Sequence, residues 1–264
     1  MIYRNRLILV LRLALGALVV LAWEALVRMF PETCDPNLFG QPTRIVSDFV
    51  DYTQSGFLLK DTVATLSAAI LGLVIGIILG LCIGVLFGSL RHTYTVFEPY
   101  FVGLNSLPRP ALAPILVLWF GLGLTSKIFL SASLVFFVVF FNTLSGVRQT
   151  DRSLVDAVCV TGASWWQVFR LVTLPSLYGW VFAGFRTSVS LALIGAVVGE
   201  FVGASRGLGY RMMIATGVLD THLAFGILLW MGVLGAVAVM LGTAVERRLL
   251  RWKSSYQAQS DVKI

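Results

Sequence analysis

Six apolar stretches, each long enough to cross a bilayer, dominate this chain and leave little room for any other architecture. They cover residues 7–30, 62–90, 96–120, 128–147, 177–202 and 223–245. A hydrocarbon core needs roughly 20 apolar residues in helical form. Hydrophobic residues make up 58% of the chain and charged residues 12%, about half the charged share of a soluble domain. The repeated ten-residue alternation of a membrane barrel is missing. The expected fold is all-α and membrane-integral, with six transmembrane helices.

Lysine and arginine set the expected orientation. With the N-terminus inside, the inner segments carry Arg4, Arg6, Arg91, Arg148, Arg152, Arg170, Arg247, Arg248, Arg251, Lys253 and Lys263. The outer segments carry Arg44, Lys60, Lys127, Arg206 and Arg211. This bias places both termini in the cytoplasm. The net charge of +7 therefore reports topology, since nucleic-acid binding needs a basic soluble face. The opening MIYRNR resembles a secretory signal, yet Arg12 interrupts the apolar run and no small-x-small site precedes Trp23-Glu24. A retained first span is expected. Arg12 snorkels to the interface, and Glu24 pairs with Arg28 along one helix face. Cys34, Cys82 and Cys159 are widely spaced, and His92 and His222 are isolated. Neither a metal site nor a disulfide nor a histidine proton relay is expected.

Residues 31–61 form the longest outer segment, within which 43–56 reads as a short amphipathic surface helix capped by Thr43. The second span carries Gly72, Gly76, Gly80, Gly84 and Gly88. A four-residue step keeps these near one face, drifting by about 40° each time. Another backbone can approach there, either within one subunit or across a seam between two copies. The third span holds Asn105, Ser106, Pro108, Arg109, Pro110 and Pro114. Proline removes backbone donors, so this helix must kink or break. Broken helices at membrane depth need protein or a water-filled cavity around them, and a lipid-facing arginine is costly. Asn105, Ser106 and Arg109 are therefore pathway candidates, joined by Arg186 deep in span five. The alternative is a packing kink near an interface.

Between spans four and five lies a 29-residue polar interval, 148–176, reading RQTDRSLVDAVCVTGASWWQVFRLVTLPS. Residues 151–153 can start a helix that continues over 154–160. Gly162 permits a left-handed cap or a close approach by another backbone. Ser164 can cap a second helix whose apolar surface is Trp165, Trp166, Val168, Phe169 and Val172. Pro175 is expected to end it and turn the chain into span five. The result is a compact elbow on the inner side.

Asp156-Ala157-Val158, three residues, Gly162, nine residues, then Val172-Thr173-Leu174-Pro175 resembles the signature of bacterial ABC importer permeases, Glu-Ala-Ala, three residues, Gly, nine residues, Ile-x-Leu-Pro. The departures are Asp for Glu, Val158 for the second alanine and Val172 for isoleucine; the bulk of Val158 bears on how closely a partner packs. ILVLWFGLGLTSKIFL (115–130), FFNTLSGVRQTD (140–151), GASWWQVFRLVTLP (162–175) and GASRGLGYRMM (203–213) look like permeases of the nitrate, sulfonate and taurine group. The likeness extends over residues 23–252.

This resemblance implies a type I ABC importer permease fold in the bacterial inner membrane. Residues 1–61 would be the first span and extracytoplasmic segment, 62–245 a five-span core with the coupling loop, and 246–264 a cytoplasmic tail. The implied partners are a second permease copy, most simply as a homodimer, two ATPase subunits, an extracytoplasmic binding protein and lipid. By carry-over, Asp156, Ala157, Val158, Gly162, Ala163 and Trp165 belong to the ATPase-coupling surface. ATP and Mg would be held by the ATPase; no cofactor and no catalytic residue is expected here, and no Walker-type loop occurs. The implied cargo is a small anion such as a sulfonate, taurine or nitrate, although relatives also carry pyrimidine precursors and riboflavin. Two other classes compete. An ion-coupled carrier expects ionisable groups at mid-membrane and an inverted repeat; Arg186 and Glu200 are present, but no repeat is evident. A membrane enzyme expects a reactive cluster, and none is visible.

Overall fold

The computed structural model describes residues 2–249; Arg251, Lys253 and Lys263, counted above toward the inner charge, lie outside the described residues. The elements are α1 (Ile2–Met29), α2 (Pro36–Phe39), α3 (Pro42–Gln54), α4 (Phe57–Ser89) and α5 (Arg91–Ser106). A 3-10 turn (Arg109–Leu112) leads into α6 (Ala113–Phe120) and α7 (Leu124–Arg148). There follow α8 (Arg152–Cys159), α9 (Trp165–Val168), a π turn (Phe169–Thr173), α10 (Leu174–Val202), α11 (Leu208–Gly217) and α12 (Thr221–Leu249). No strand occurs among the described residues.

Five stretches are long and apolar enough to cross a membrane: Val10–Met29, Phe57–Ser89, Leu124–Arg148, Trp165–Val202 and Thr221–Arg248. The sixth expected span is a bent pair, His92–Ser106 and Arg109–Phe120, meeting at 84°. The break falls where the prolines required it. Leu107 and Pro108 are extended, because a residue ahead of proline is pushed out of the helical region.

By internal contacts the chain forms two units, Met1–Val63 with Arg206–Gly232, and Ala64–Ser205 with Val233–Ile264. In the second unit, α7 is the central helix. A Cβ built on Gly72 would lie 2.3 Å from Ser131 Oγ, and on Gly76 2.6 Å from Val135 Cβ. On Gly80, Gly84 and Gly88 it would meet Val139 at 2.8 Å, Thr143 at 2.7 Å and Val147 at 2.6 Å. Both helices thus advance in four-residue steps, with hydrogen on one side and a branched or short side chain on the other. The contact lies within one chain. Dispersion across such a close approach substitutes for the hydrophobic drive that lipid does not supply. Helix α10 seats on α7 beside α4, and Ser131 touches both: Gly195 lies against Ser131, and Ser131 Oγ donates to the Ala192 carbonyl at 3.0 Å. Ala68, Ala69, Val135, Val139, Ala192 and Ala196 close the core.

In the first unit, Glu24 of α1 does more than pair with Arg28 (2.6 Å). Its carboxylate also accepts from Gln41 Nε2 at 2.9 Å, the Thr43 N–H at 3.0 Å and Thr43 Oγ1 at 2.9 Å. The expected Thr43 cap is therefore corrected. Helix α3 begins at Pro42 without a side-chain cap from Gln41. Glu24 satisfies the free N–H instead, and its charge suits a helix N-terminus.

Candidate functional site

The polar interval folds as an elbow held by local hydrogen bonds. Asp151 Oδ1 accepts from the Ser153 N–H at 2.9 Å and Ser153 Oγ at 2.8 Å, which starts α8. Those bonds hold the Asp151 carboxyl below its usual range. Ser164 Oγ accepts from the Gln167 N–H, while Gln167 Oε1 accepts from the Ser164 N–H at 2.7 Å. This is a complete capping box, and it starts α9. Between them Gly162 adopts φ +79° with open space where a Cβ would be. Of the two readings for Gly162, the left-handed turn is the one present in this chain.

Among the described residues, nothing covers the apolar surface of the elbow. No residue of α8 is buried; Val160 is 88% exposed and Trp165 66%. Asp156, Ala157 and Gly162 are exposed, and Val158 and Ala163 half-buried. Trp165 stacks on Phe169 with centroids 5.7 Å apart. A cleft of about 370 Å³ separates the elbow from the ends of α4 and α7, lined by Gly88, Ser89, Arg148, Arg152, Trp165 and Phe169 among others. The Arg148 guanidinium lies 4.1 Å from the Tyr94 ring centroid.

Pro175 does not stop the second elbow helix. From Trp165 to Val202 the chain is one 38-residue helix, and the Leu174 N–H reaches the Phe169 carbonyl. The π turn widens the backbone just ahead of Pro175, so the missing N–H falls in the first turn of α10, where proline is tolerated. The elbow is therefore continuous with span five.

Of the pathway candidates, Asn105 and Arg109 come together. Arg109 Nη2 donates to the Asn105 carbonyl at 3.1 Å and to Asn105 Oδ1 at 2.5 Å, and its guanidinium lies 4.7 Å from the Phe137 centroid. A cation at the last turn of α5 meets its free carbonyls. Ser106 Oγ turns back to the Val102 carbonyl at 2.9 Å. Arg186 is held elsewhere, donating to Glu246 Oε2 of α12 at 2.7 Å.

Several polar contacts escaped the sequence reading. Lys127, counted there in an outer loop, sits in the first turn of α7 and is buried. Glu200 is fully buried and accepts from Thr65 Oγ1 at 3.0 and 2.9 Å. Asp61, buried at the start of α4, takes Tyr52 Oη at 2.6 Å, Arg211 Nε at 3.1 Å and the Gly207 N–H at 3.1 Å. Burial and the bond to Asp61 raise the Tyr52 pKa. For Arg211 burial acts downward, but Asp61 outweighs it and the pKa rises. His222 is not isolated either; it meets Asp48 and Asp220.

Residues 72–251 match the family of binding-protein-dependent transport system inner membrane components. The chain belongs to this family of ABC importer permeases. The permease is 38% identical over 240 residues to the riboflavin transport system permease protein RibX of Chloroflexus aurantiacus, covering 90% of this chain and 88% of that one. It is 32% identical to a putative aliphatic sulfonates transport permease protein, SsuC, of Bacillus subtilis, covering 93% and 88%. With the formylaminopyrimidine transport permease protein ThiX of Halalkalibacterium halodurans the identity is 34%, over 89% and 93%. In fold, the permease matches a chain of the inward-facing MetNI methionine ABC transporter at TM-score 0.66 and 17% identity, covering 74% of this chain and 97% of that one. An amino acid ABC transporter matches at TM-score 0.61 and 17% identity, covering 77% and 96%. The architecture is that of a type I importer permease, a multi-pass membrane subunit for small solutes. Membership implies ATPase and binding-protein partners and a dimeric arrangement.

Proposed function

We propose that this permease is the homodimeric membrane half of an ATP-driven importer in the bacterial inner membrane, with both termini in the cytoplasm. The observation that carries the reading is the uncovered elbow joined without interruption to α10. Asp156, Ala157, Val158, Gly162, Ala163 and Trp165 meet an ATPase subunit that holds ATP and Mg; this chain performs no hydrolysis. Closure of the ATPase pair draws the two elbows together. Because Trp165–Val202 is one helix, the displacement is carried into span five through the π turn. The broken third span, with Asn105, Ser106 and Arg109, lines the route.

The cargo is a small anion such as a sulfonate, taurine or nitrate, delivered by the binding protein. Arg109 favours it, as a cation beside a helix break in a low-dielectric region attracts negative charge. A heteroaromatic cargo is the second reading, supported by the 38% identity to a riboflavin permease. The test is reconstitution of the permease with its ATPase and binding protein in proteoliposomes, with labelled taurine, nitrate and riboflavin offered in turn. ATP-dependent accumulation of taurine or nitrate is expected. Accumulation of riboflavin alone moves the cargo to the second reading. Uptake driven by an ion gradient without ATP overturns the importer in favour of a secondary carrier.

A further inference from the structure

Three groups distant in sequence meet in the first unit. Asp48 lies on α3, Asp220 in the turn between α11 and α12, and His222 in the first turn of α12. One ligand atom from each lies within 4.8 Å of the other two. His222 is 7% exposed, and its buried Nε2 has no hydrogen-bond partner among the described residues. A buried ring nitrogen left unpaired calls for an explanation, because nearly all such groups find a partner. Among the described residues, each carboxylate is engaged through one oxygen only. Asp48 Oδ1 accepts from Ser47 Oγ at 3.1 Å, and Asp220 Oδ1 accepts from the Leu223 N–H at 3.1 Å. The second oxygens remain available.

The ligands stand on well-packed backbone. Gly226 follows His222 by one helical turn, and a Cβ there would fall 3.1 Å from Phe49 Cβ, next to Asp48. The Phe49 and Trp230 rings lie 6.1 Å apart, and Thr221 Oγ1 donates to the Asn37 carbonyl. Helix-borne ligands with packed neighbours are held more precisely than ligands on free loops.

One imidazole and two carboxylates make a mixed nitrogen and oxygen set. Imidazole selects zinc, nickel or copper over calcium and magnesium, which prefer oxygen alone. Three protein ligands with a fourth position for water is a familiar zinc arrangement. Tetrahedral bonds of about 2 Å place ligand atoms about 3.3 Å apart, a contraction that rotation of the two half-buried aspartates can supply. We propose that Asp48, Asp220 and His222 form a divalent transition-metal site, best matched to zinc, that fastens α3 to the turn between α11 and α12.

The test is calorimetric titration of zinc chloride into the chelator-treated, full-length permease in detergent, with His222→Gln, Asp48→Asn and Asp220→Asn beside it. One zinc per chain is expected, and each substitution should weaken it at least about tenfold. Asp220→Asn keeps an oxygen for the Leu223 N–H, so it separates ligation from capping. Saturating zinc should raise the melting temperature of the wild type by about 5 °C, and leave His222→Gln unmoved. Cobalt(II) in place of zinc should show ligand-field bands without a thiolate charge-transfer band, which separates this site from the three cysteines. Absence of zinc binding overturns the proposal, as does binding untouched by His222→Gln and Asp48→Asn, or a thiolate band. Should His222→Gln fail to fold, Asp48→Asn on the half-buried ligand decides alone.

Discussion

Gly76 of α4 lies so close to Val135 of α7 that a Cβ at the glycine would fall 2.6 Å from the valine Cβ. Non-bonded carbon atoms do not tolerate that separation, so the two helices can approach only because position 76 has no side chain. The same holds one turn away at Gly80 against Val139 and at Gly72 against Ser131.

Gly76→Leu is therefore expected to destabilise the permease by about 1–3 kcal/mol or prevent α4 from seating. Gly232→Ala on α12 is the control, since nothing lies within 4 Å of its would-be Cβ. That change should be neutral or stabilising by up to about 1 kcal/mol. Melting curves of the two detergent-purified variants distinguish them; equal melting temperatures would contradict the glycine seam.

The Asp61 cluster should be sensitive to alkali through Tyr52. The folded pKa of Tyr52 is raised above its ordinary 10.0, so its contribution is complete below pH 10 and is lost as the pH climbs toward the folded value. Stability measured from about pH 8 to about pH 11 should fall more steeply above 10 for the wild type than for Tyr52→Phe. Asp61→Asn removes the charge facing Arg211 in a buried place, at a cost of about 3 kcal/mol. A melting temperature within a degree of wild type would show the cluster to be idle.

Gly162 adopts φ +79° with nothing near its Cβ position, so a side chain there points outward and strains only the local turn, by about 1–2 kcal/mol. Gly162→Trp should enter the membrane normally yet uncouple ATP hydrolysis from uptake. Substrate-stimulated uptake at the wild-type rate in vesicles would remove Gly162 from the coupling surface.

Arg109 holds the carbonyl and the side chain of Asn105. Arg109→Ala is expected to lower transport at least about tenfold, a loss of about 1.4 kcal/mol in barrier terms, with little change in expression. Unchanged uptake kinetics would make it a packing residue of the broken span.

Much of this was legible because it depends on near neighbours in sequence. Hydropathy marks the spans, and the prolines at 108, 110 and 114 mark the break. Asp151 and Ser164 act on backbone within three residues of themselves, so the two helix starts of the elbow could be read directly. Pro175 misled because the effect of a proline depends on the helix ahead of it, and a π turn is invisible to periodicity. Thr43 misled for a related reason, as the acceptor that served as the cap, Glu24, came from another helix.

The sequence by itself determined an all-helical membrane chain with a glycine stripe and a helix–glycine–helix elbow, since hydropathy, spacing and capping act over one or two turns. Only the tertiary structure decided that the stripe seats α7, that Arg186 meets Glu246, that Asp61 gathers Tyr52 and Arg211, and that His222 meets Asp48. Those pairs are separated along the chain by 9 positions for Tyr52 and Asp61, by 150 for Asp61 and Arg211, and by still more for Asp48 and His222. No local propensity encodes such a meeting. It arises only when close packing of apolar helices leaves each buried polar group one place to find its partner.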